Sequence, residues 1–129
     1  MSLQTVAHQF VDLCRQGKNF DVMRTMYAPN IVSVEGNGAE TAGQEPVIKK
    51  SADWGAERTF HGQIVAGPFF NAATPDQFAV YFTVDVTPKA TGRRTTLEEV
   101  GVYTVNQNDK ITREQFYHEG DGYPRGSTR

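Results

Sequence analysis

The sequence is short of several features that mark whole classes of protein. Its 129 residues include one cysteine, Cys14, which excludes an internal disulfide and a site built from several thiolates. The 13 Lys and Arg residues are balanced by 15 Asp and Glu and form no stripe, so the footprint of a nucleic-acid-binding protein is absent. No apolar run approaches the length of about 18 residues that spans a membrane, and no signal-peptide pattern stands at the start. We therefore expect a cytoplasmic protein with no nucleic-acid or membrane partner.

Motifs for metal, phosphate and nucleophile chemistry are also missing. The three histidines, His8, His61 and His118, fall on separate predicted elements without H-x-x-x-H spacing, which argues against a metal site. Gly-rich phosphate loops and nucleophile elbows are absent as well. Cys14 lies within an apolar helical pattern and is interpreted as a buried small hydrophobe. We expect neither a metal nor a cofactor.

The chain has the length of one domain, which we place at residues 1–120, followed by a Gly-, Pro-, Ser- and Arg-rich tail at 121–129. Helical periodicity predicts three helices, at residues 3–14, 19–27 and 46–54. The second of these carries Tyr27 and the third carries Trp54. A short strand is predicted between them at 31–35, and residues 36–43 are predicted to be a loop.

The second half of the chain changes to the alternating pattern of strands. Strands are predicted at residues 60–67 and 77–86 and in a hairpin whose arms are 97–105 and 110–118. Helices that precede a run of consecutive strands are typical of an α+β fold, with the helices packed on one face of a curved, mostly antiparallel sheet.

The hairpin carries most of the polar side chains that could do chemistry. A turn of two or four residues gives one register, with Tyr103 opposite Thr112 and Gly101 opposite Glu114. Because side chains alternate across a strand, one face of the hairpin then collects a common set: Glu99, Gly101, Tyr103, Thr112, Glu114, Phe116 and His118. The opposite face collects Val100, Val102, Arg113, Gln115 and Tyr117. The polar face either lines a pocket or is solvated.

The succession of elements resembles the SnoaL-like (polyketide-cyclase-like) branch of the nuclear transport factor 2-like superfamily. The resemblance is carried by Tyr27-Ala28-Pro29-Asn30 before the first strand, and by residues 82–92, 99–105 and 110–117. It implies a cone-shaped α+β barrel in which three helices pack on a strongly bent sheet and enclose a cavity, often as a homodimer. Relatives include cyclases, isomerases, dehydratases, hydrolases and non-catalytic binders, so the fold does not choose the activity.

Glu99 is the leading acid candidate. In an apolar cavity, desolvation would raise the pKa of its carboxyl and suit it to abstract a proton next to a carbonyl; a surface glutamate is the alternative. Glu114 is the second candidate, either sharing acid and base roles with Glu99 or paired structurally with Arg113 or another cation. His118 is the third catalytic candidate, a possible hydrogen-bond donor to a substrate oxygen.

Aromatic side chains are expected to border the cavity, as is usual for small-molecule sites. We predict a substrate-binding set of Tyr27, Trp54, His61, Tyr103 and Phe116. Two functions fit this cavity: a cofactor-independent lyase or isomerase that acts on a small apolar carbonyl compound, or a non-catalytic module that binds a hydrophobic ligand.

The other face of the hairpin predicts a homodimer. If the Glu99 face looks inward, then Val100, Val102 and Tyr117 look outward and form an apolar patch larger than scattered surface hydrophobes. Two-fold pairing is the commonest way for a chain to cover such a patch.

Overall fold

Three helices and six strands make up residues 2–118, the part of the chain that the computed structural model describes. The helices are α1 (Leu3–Arg15), α2 (Asn19–Thr25) and α3 (Gln44–Ala56). The strands are β1 (Tyr27–Val34), β2 (Glu40–Ala42), β3 (Arg58–Phe70), β4 (Gln77–Pro88), β5 (Thr95–Val105) and β6 (Ile111–Tyr117). The tail predicted at 121–129 lies outside the described residues, and so does the domain end predicted at residue 120.

The strands form one mixed sheet in the order β2-β1-β6-β5-β4-β3. Neighbouring strands are antiparallel except β1 and β6, which run parallel. The last strand in the chain therefore lies inside the sheet, between the first strand and β5. Helices packed on a bent, mostly antiparallel sheet confirm the predicted α+β fold.

Helix α1 shows which face of the sheet is the inner one. The Ser2 hydroxyl caps the helix by accepting a hydrogen bond from the Thr5 amide at 3.2 Å. The apolar stripe of α1 is fully buried and consists of Val6, Ala7, Phe10, Val11 and Cys14. The Phe10 ring lies 4.4 Å from the Tyr103 ring and 5.4 Å from the Phe78 ring, measured between centroids. The face of β5 that carries Tyr103 is thus the one that the helices cover.

The structure corrects the placement of Tyr27, which was predicted in the second helix and instead begins β1. Helix α2 ends at Thr25, whose carbonyl accepts a hydrogen bond from the Lys110 ammonium at 2.7 Å. The Ile111 amide donates to the Met26 carbonyl at 2.9 Å, which starts the pairing of β1 with β6. This long-range pairing outweighs the local helical pattern, as tertiary contacts often do. The predicted loop at 36–43 likewise contains a short strand, β2.

The hairpin register also differs from the prediction. Tyr103 pairs with Glu114 and Gly101 with Phe116, two residues away from the predicted partners. The turn has three residues, closed by a hydrogen bond from the Asn106 amide to the Lys110 carbonyl at 2.8 Å. An extra residue in β6 then shifts the register between Thr104 and Val105. Because an odd turn and a bulge together move the register by two, the predicted division of side chains between the two faces holds for 99–103 and 113–118. It fails at the bulge, where Thr112 is unpaired in register and Ile111, expected on the outer face, is buried in the core.

Candidate active site

Three adjacent strands bring acidic and hydroxyl side chains together on the inner face of the sheet. Glu114 of β6 is paired with Ser33 of β1 on one side and with Tyr103 of β5 on the other. Glu99 lies two residues beyond Gly101 on the same face of β5. We call the following residues the acid cluster: Tyr27, Ser33, Glu35, Lys50, Glu99 and Glu114.

Glu114 is the buried centre of this cluster, with 3% of its surface exposed. The Tyr27 hydroxyl donates a hydrogen bond to one carboxyl oxygen, and Ser33 is the residue of β1 that is paired with Glu114 in register. Burial raises the pKa of the Glu114 carboxyl, and the hydroxyl groups of Tyr27 and Ser33 oppose that rise. The alternative partner, Arg113, is exposed on the other face and contacts Gln115 instead. The groups that satisfy Glu114 are therefore hydroxyls and not a guanidinium.

Glu99 is partly buried on the inner face, beside the buried Phe82 with which it is paired in register. Burial raises the pKa of its carboxyl from 4.5 to about 7, and the negative charges of Glu35 and Glu114 act in the same direction. The positive charge of Lys50 opposes them. No hydrogen bond joins the Glu99 carboxyl to another side chain within residues 2–118. A carboxyl with a pKa near 7 is partly ionised and partly protonated at neutral pH.

Tyr103 fills the space left by Gly101. A Cβ atom added to Gly101 would lie 2.5 Å from the Tyr103 hydroxyl oxygen, so the phenol folds back along β5 over the glycine. The ring is stacked on Phe78, with centroids 5.1 Å apart. Burial raises the pKa of the Tyr103 hydroxyl well above its ordinary value, so this group stays protonated. The structure thus holds a hydrogen-bond donor on the side of Tyr103 where Glu99 lies.

Lys50, Ser33 and Glu35 are members of the cluster that sequence reasoning missed. The Lys50 ammonium donates to the Ser33 hydroxyl at 2.6 Å and forms an ion pair with Glu35. The Lys50 and Glu35 side chains are 29% and 35% exposed, whereas Ser33 and Glu114 are buried. The cluster therefore runs from a buried floor to the solvent. A signal existed in the sequence, because Lys50 follows the buried Val47 by three residues and so shares its helix face.

Phe116 and His118 lie beside the cluster. Phe116 is partly buried, and the Lys50 ammonium is 5.9 Å from its ring centroid. The His118 ring lies against Gly36, where an added Cβ would be 2.6 Å from Cε1. Its Nδ1 atom is buried and has no hydrogen-bond partner among the described residues. His118 thus presents an unsatisfied polar atom beside Gly36, the residue that follows Glu35.

The other two predicted site residues lie apart from the acid cluster. Trp54 is 40% exposed, and the Arg58 guanidinium carbon is 4.2 Å from its ring centroid. His61 is exposed and hydrogen-bonded to the Thr87 hydroxyl at 2.7 Å, on the outer face of the sheet. The structure therefore brings together six of the eight predicted site residues and leaves Trp54 and His61 elsewhere.

An open groove of about 750 Å³ runs along α1 and is lined at one end by Phe70. Its walls are mainly polar side chains of one helix face, and they include no member of the acid cluster. We place the candidate site at the cluster because that is where acids are buried. Within residues 2–118, no group of three or more His, Cys, Asp and Glu side chains is arranged to hold a metal ion. In the same range, no helix is long and apolar enough to cross a membrane.

Comparison with known proteins identifies the family. A family model for the SnoaL-like domain matches residues 1–118. The chain belongs to the SnoaL-like domain family. No match was found among curated proteins. A Mesorhizobium loti protein of known crystal structure, provisionally assigned as a SnoaL-like polyketide cyclase and also as a carbohydrate phosphatase, is 41% identical in sequence to this chain, with a TM-score of 0.84. The match covers 92% of this SnoaL-like chain and 100% of that one.

More distant structures share the SnoaL-like fold at 19% identity. A Mycobacterium tuberculosis protein in complex with estradiol-17β-hemisuccinate has a TM-score of 0.70, covering 95% of this chain and 98% of that chain. A computationally designed 17-OHP binder has a TM-score of 0.69, covering 95% and 97%. These likenesses establish that the nuclear transport factor 2-like fold is shared.

Proposed function

We propose that this SnoaL-like protein binds a small apolar carbonyl compound and acts on it as a cofactor-independent lyase or isomerase by proton transfer. The observation that carries the proposal is the Glu99 carboxyl, partly buried beside Phe82, without a hydrogen-bond partner among residues 2–118 and with a pKa raised to about 7. A general base is most effective when its pKa lies near the working pH.

The chemistry follows from the groups around that carboxyl. Ionised Glu99 takes a proton from the carbon next to the carbonyl, the electron pair of the C–H bond forms the carbon–carbon double bond of an enolate, and the π pair of the carbonyl moves onto its oxygen. The protonated Tyr103 hydroxyl, held over Gly101, is our proposed hydrogen-bond donor to that oxygen. Return of the proton from Glu99 to a different carbon completes an isomerisation, and loss of a leaving group completes an elimination.

The alternative function is a non-catalytic module that binds a hydrophobic ligand at the same place. Steroid ligands accompany two proteins of the same fold, one natural and one designed, which supports a ligand of that size and apolarity. The predicted cavity behind the acid cluster would hold the ligand in either case, with Phe82 and Phe116 as apolar walls. Trp54 and His61 are not part of this proposal, because they lie away from the cluster.

A steady-state assay on a β,γ-unsaturated ketone distinguishes the two functions. Proton transfer would convert it into the conjugated isomer, which is followed by its ultraviolet absorbance. We expect turnover by the wild type and a loss of at least 100-fold in kcat for Glu99→Gln. Glu98→Gln makes the same chemical change on the exposed neighbour and should retain activity. Binding of estradiol-17β-hemisuccinate without turnover of any ketone tested would favour the binding module, and neither binding nor turnover would refute both functions.

We further propose that the outer face of the sheet forms a homodimer. Ile64, Phe69 and Tyr117 are 69%, 55% and 52% exposed there, with Val100 and Val102 partly exposed between them. Apolar surface at this density is typical of an interface.

Sedimentation tests the dimer directly. We expect Val102→Glu to give a monomer with the helices intact, because Val102 lies on the outer face, opposite the core. Ala90→Glu adds the same charge in the exposed turn after β4 and should leave the dimer unchanged. A wild-type chain that sediments as a monomer at micromolar concentration would refute this assembly.

A further inference from the structure

Lys50 occupies an unusual place for a lysine. It lies on the helix face that also carries the buried Val47, and its ammonium reaches across to β1, where it bonds Ser33 at 2.6 Å and pairs with Glu35. Burying an ammonium costs free energy unless several partners satisfy it. The sequence could have placed an apolar residue here to extend the packing of α3. The position therefore suggests a role for the charge itself.

The hydrogen bond to Ser33 orders the contacts further in. An ammonium can only donate, so the Ser33 oxygen accepts from Lys50, and the hydroxyl hydrogen of Ser33 is available to Glu114, its partner in register. The Tyr27 hydroxyl donates to the same carboxyl from the other end. Glu114 therefore has hydroxyl groups on both sides, from Tyr27 and from Ser33, whereas Glu99 has no hydrogen-bond partner among the side chains of residues 2–118.

The charge of Lys50 acts on Glu99 as well. The titratable groups around Glu99 come from several elements: Glu35 just after β1, Lys50 of α3, Tyr103 of β5, Glu114 of β6, and His118 just after β6. Glu35 and Glu114 disfavour ionisation of Glu99, and Lys50 favours it. Removal of Lys50 would also leave the negative charge of Glu35 uncompensated. Both effects make it harder to ionise Glu99.

We propose that Lys50 is a positioning residue of the acid cluster: it orients the Ser33 hydroxyl toward Glu114 and supplies the positive charge that lets Glu99 serve as a base. A base at Glu99 has a use only if the proposed function is correct, so the inference rests on that function. The test does not require turnover, because the ionisation of Glu99 can be measured directly.

The test is a titration of the Glu99 carboxyl carbon by NMR in otherwise unmodified full-length protein. In the wild type the midpoint should lie at about pH 7. In Lys50→Met, which keeps the length but not the charge, the midpoint should move up, so that less than half of Glu99 is ionised at pH 7. Lys50→Arg restores the charge and should return the midpoint toward the wild-type value. Glu35→Gln removes the opposing charge and should move the midpoint down.

These opposite shifts separate an electrostatic role from a merely structural one. A lysine that only packs α3 against β1 would leave the midpoint in place in Lys50→Met, or would shift it equally in Lys50→Arg, and either result overturns the proposal. If Lys50→Met does not fold, Lys50→Gln removes the same charge with a polar side chain, and a midpoint that fails to rise in that variant refutes the inference. Should the midpoints shift as expected while no ketone is turned over, the proposed enzyme activity fails and the role of Lys50 in setting the charge of Glu99 stands.

Discussion

Replacement of Glu99 by glutamine should stabilise the protein in a way that depends on pH. Glutamine keeps the shape of the side chain and removes its ionisation. Folding raises the pKa of the Glu99 carboxyl from 4.5 to about 7, so the folded state holds this proton more tightly than the unfolded state. The stability contributed by protonated Glu99 is therefore present below pH 4.5 and is lost as the pH rises to 7.

The size of the effect follows from the two pKa values. At about 1.4 kcal/mol per pH unit, the interval between 4.5 and about 7 corresponds to about 3 kcal/mol. The free energy of unfolding of Glu99→Gln minus that of the wild type should thus be about 3 kcal/mol larger at pH 8 than at pH 4. For a domain of this length, such a gain raises the melting temperature by about 10 °C.

Urea denaturation of both proteins across this pH range measures the difference, and contributions from all other groups largely cancel in it. Glu98→Gln is the matched control, since Glu98 is exposed on the opposite face of β5. Its difference from the wild type should stay within about 0.5 kcal/mol. A Glu99→Gln difference that is the same at pH 4 and pH 8 would refute the assignment of Glu99 as a desolvated acid.

Three further predictions test the packing around the site. Tyr27→Phe removes the donor to the buried Glu114 carboxyl and should cost about 1.5–3 kcal/mol in urea denaturation, and no loss would show that the hydrogen bond is unimportant. Gly101→Ala places a methyl group 2.5 Å from the Tyr103 hydroxyl oxygen and should cost about 1–3 kcal/mol, with a changed near-ultraviolet circular dichroism spectrum; an unchanged spectrum would contradict this placement. Burial raises the pKa of the Cys14 thiol to about 12, so a thiol reagent should label it only after unfolding, and rapid labelling of the native protein would contradict its burial.

Much of the fold could be predicted because local patterns and tertiary structure agree. The stripe of α1 and the alternation of β4 each match the face that is buried. The register of the hairpin could not be predicted, since a three-residue turn with Asp109 at a φ of +60° and the bulge beyond it depend on side-chain contacts of Asn106. Parity still placed Glu99 and Glu114 on one face, because the two irregularities together shift the register by two residues.

The partners of the site were harder to predict than its acids. Ser33 meets Glu114 only through the parallel pairing of β1 with β6, which joins segments some 80 residues apart and leaves no local pattern. Lys50 reaches the site from a third element. Charged side chains are usually exposed, so a lysine on a helix face is interpreted first as a solvated residue. Only the folded arrangement shows which charges face each other.

The position of β6 inside the sheet has a consequence for the order of folding. The β3-β4-β5 meander uses neighbours in sequence and can form early, whereas β1 must wait for a strand that the ribosome makes about 80 residues later. Until then, β1 and β5 both present unpaired edges, which other chains can join. The Tyr27–Glu114 hydrogen bond joins these same two strands, β1 and β6. The acid cluster should therefore be among the last parts of the molecule to assemble, and a chain that stops before residue 111 should aggregate instead of forming a smaller stable domain.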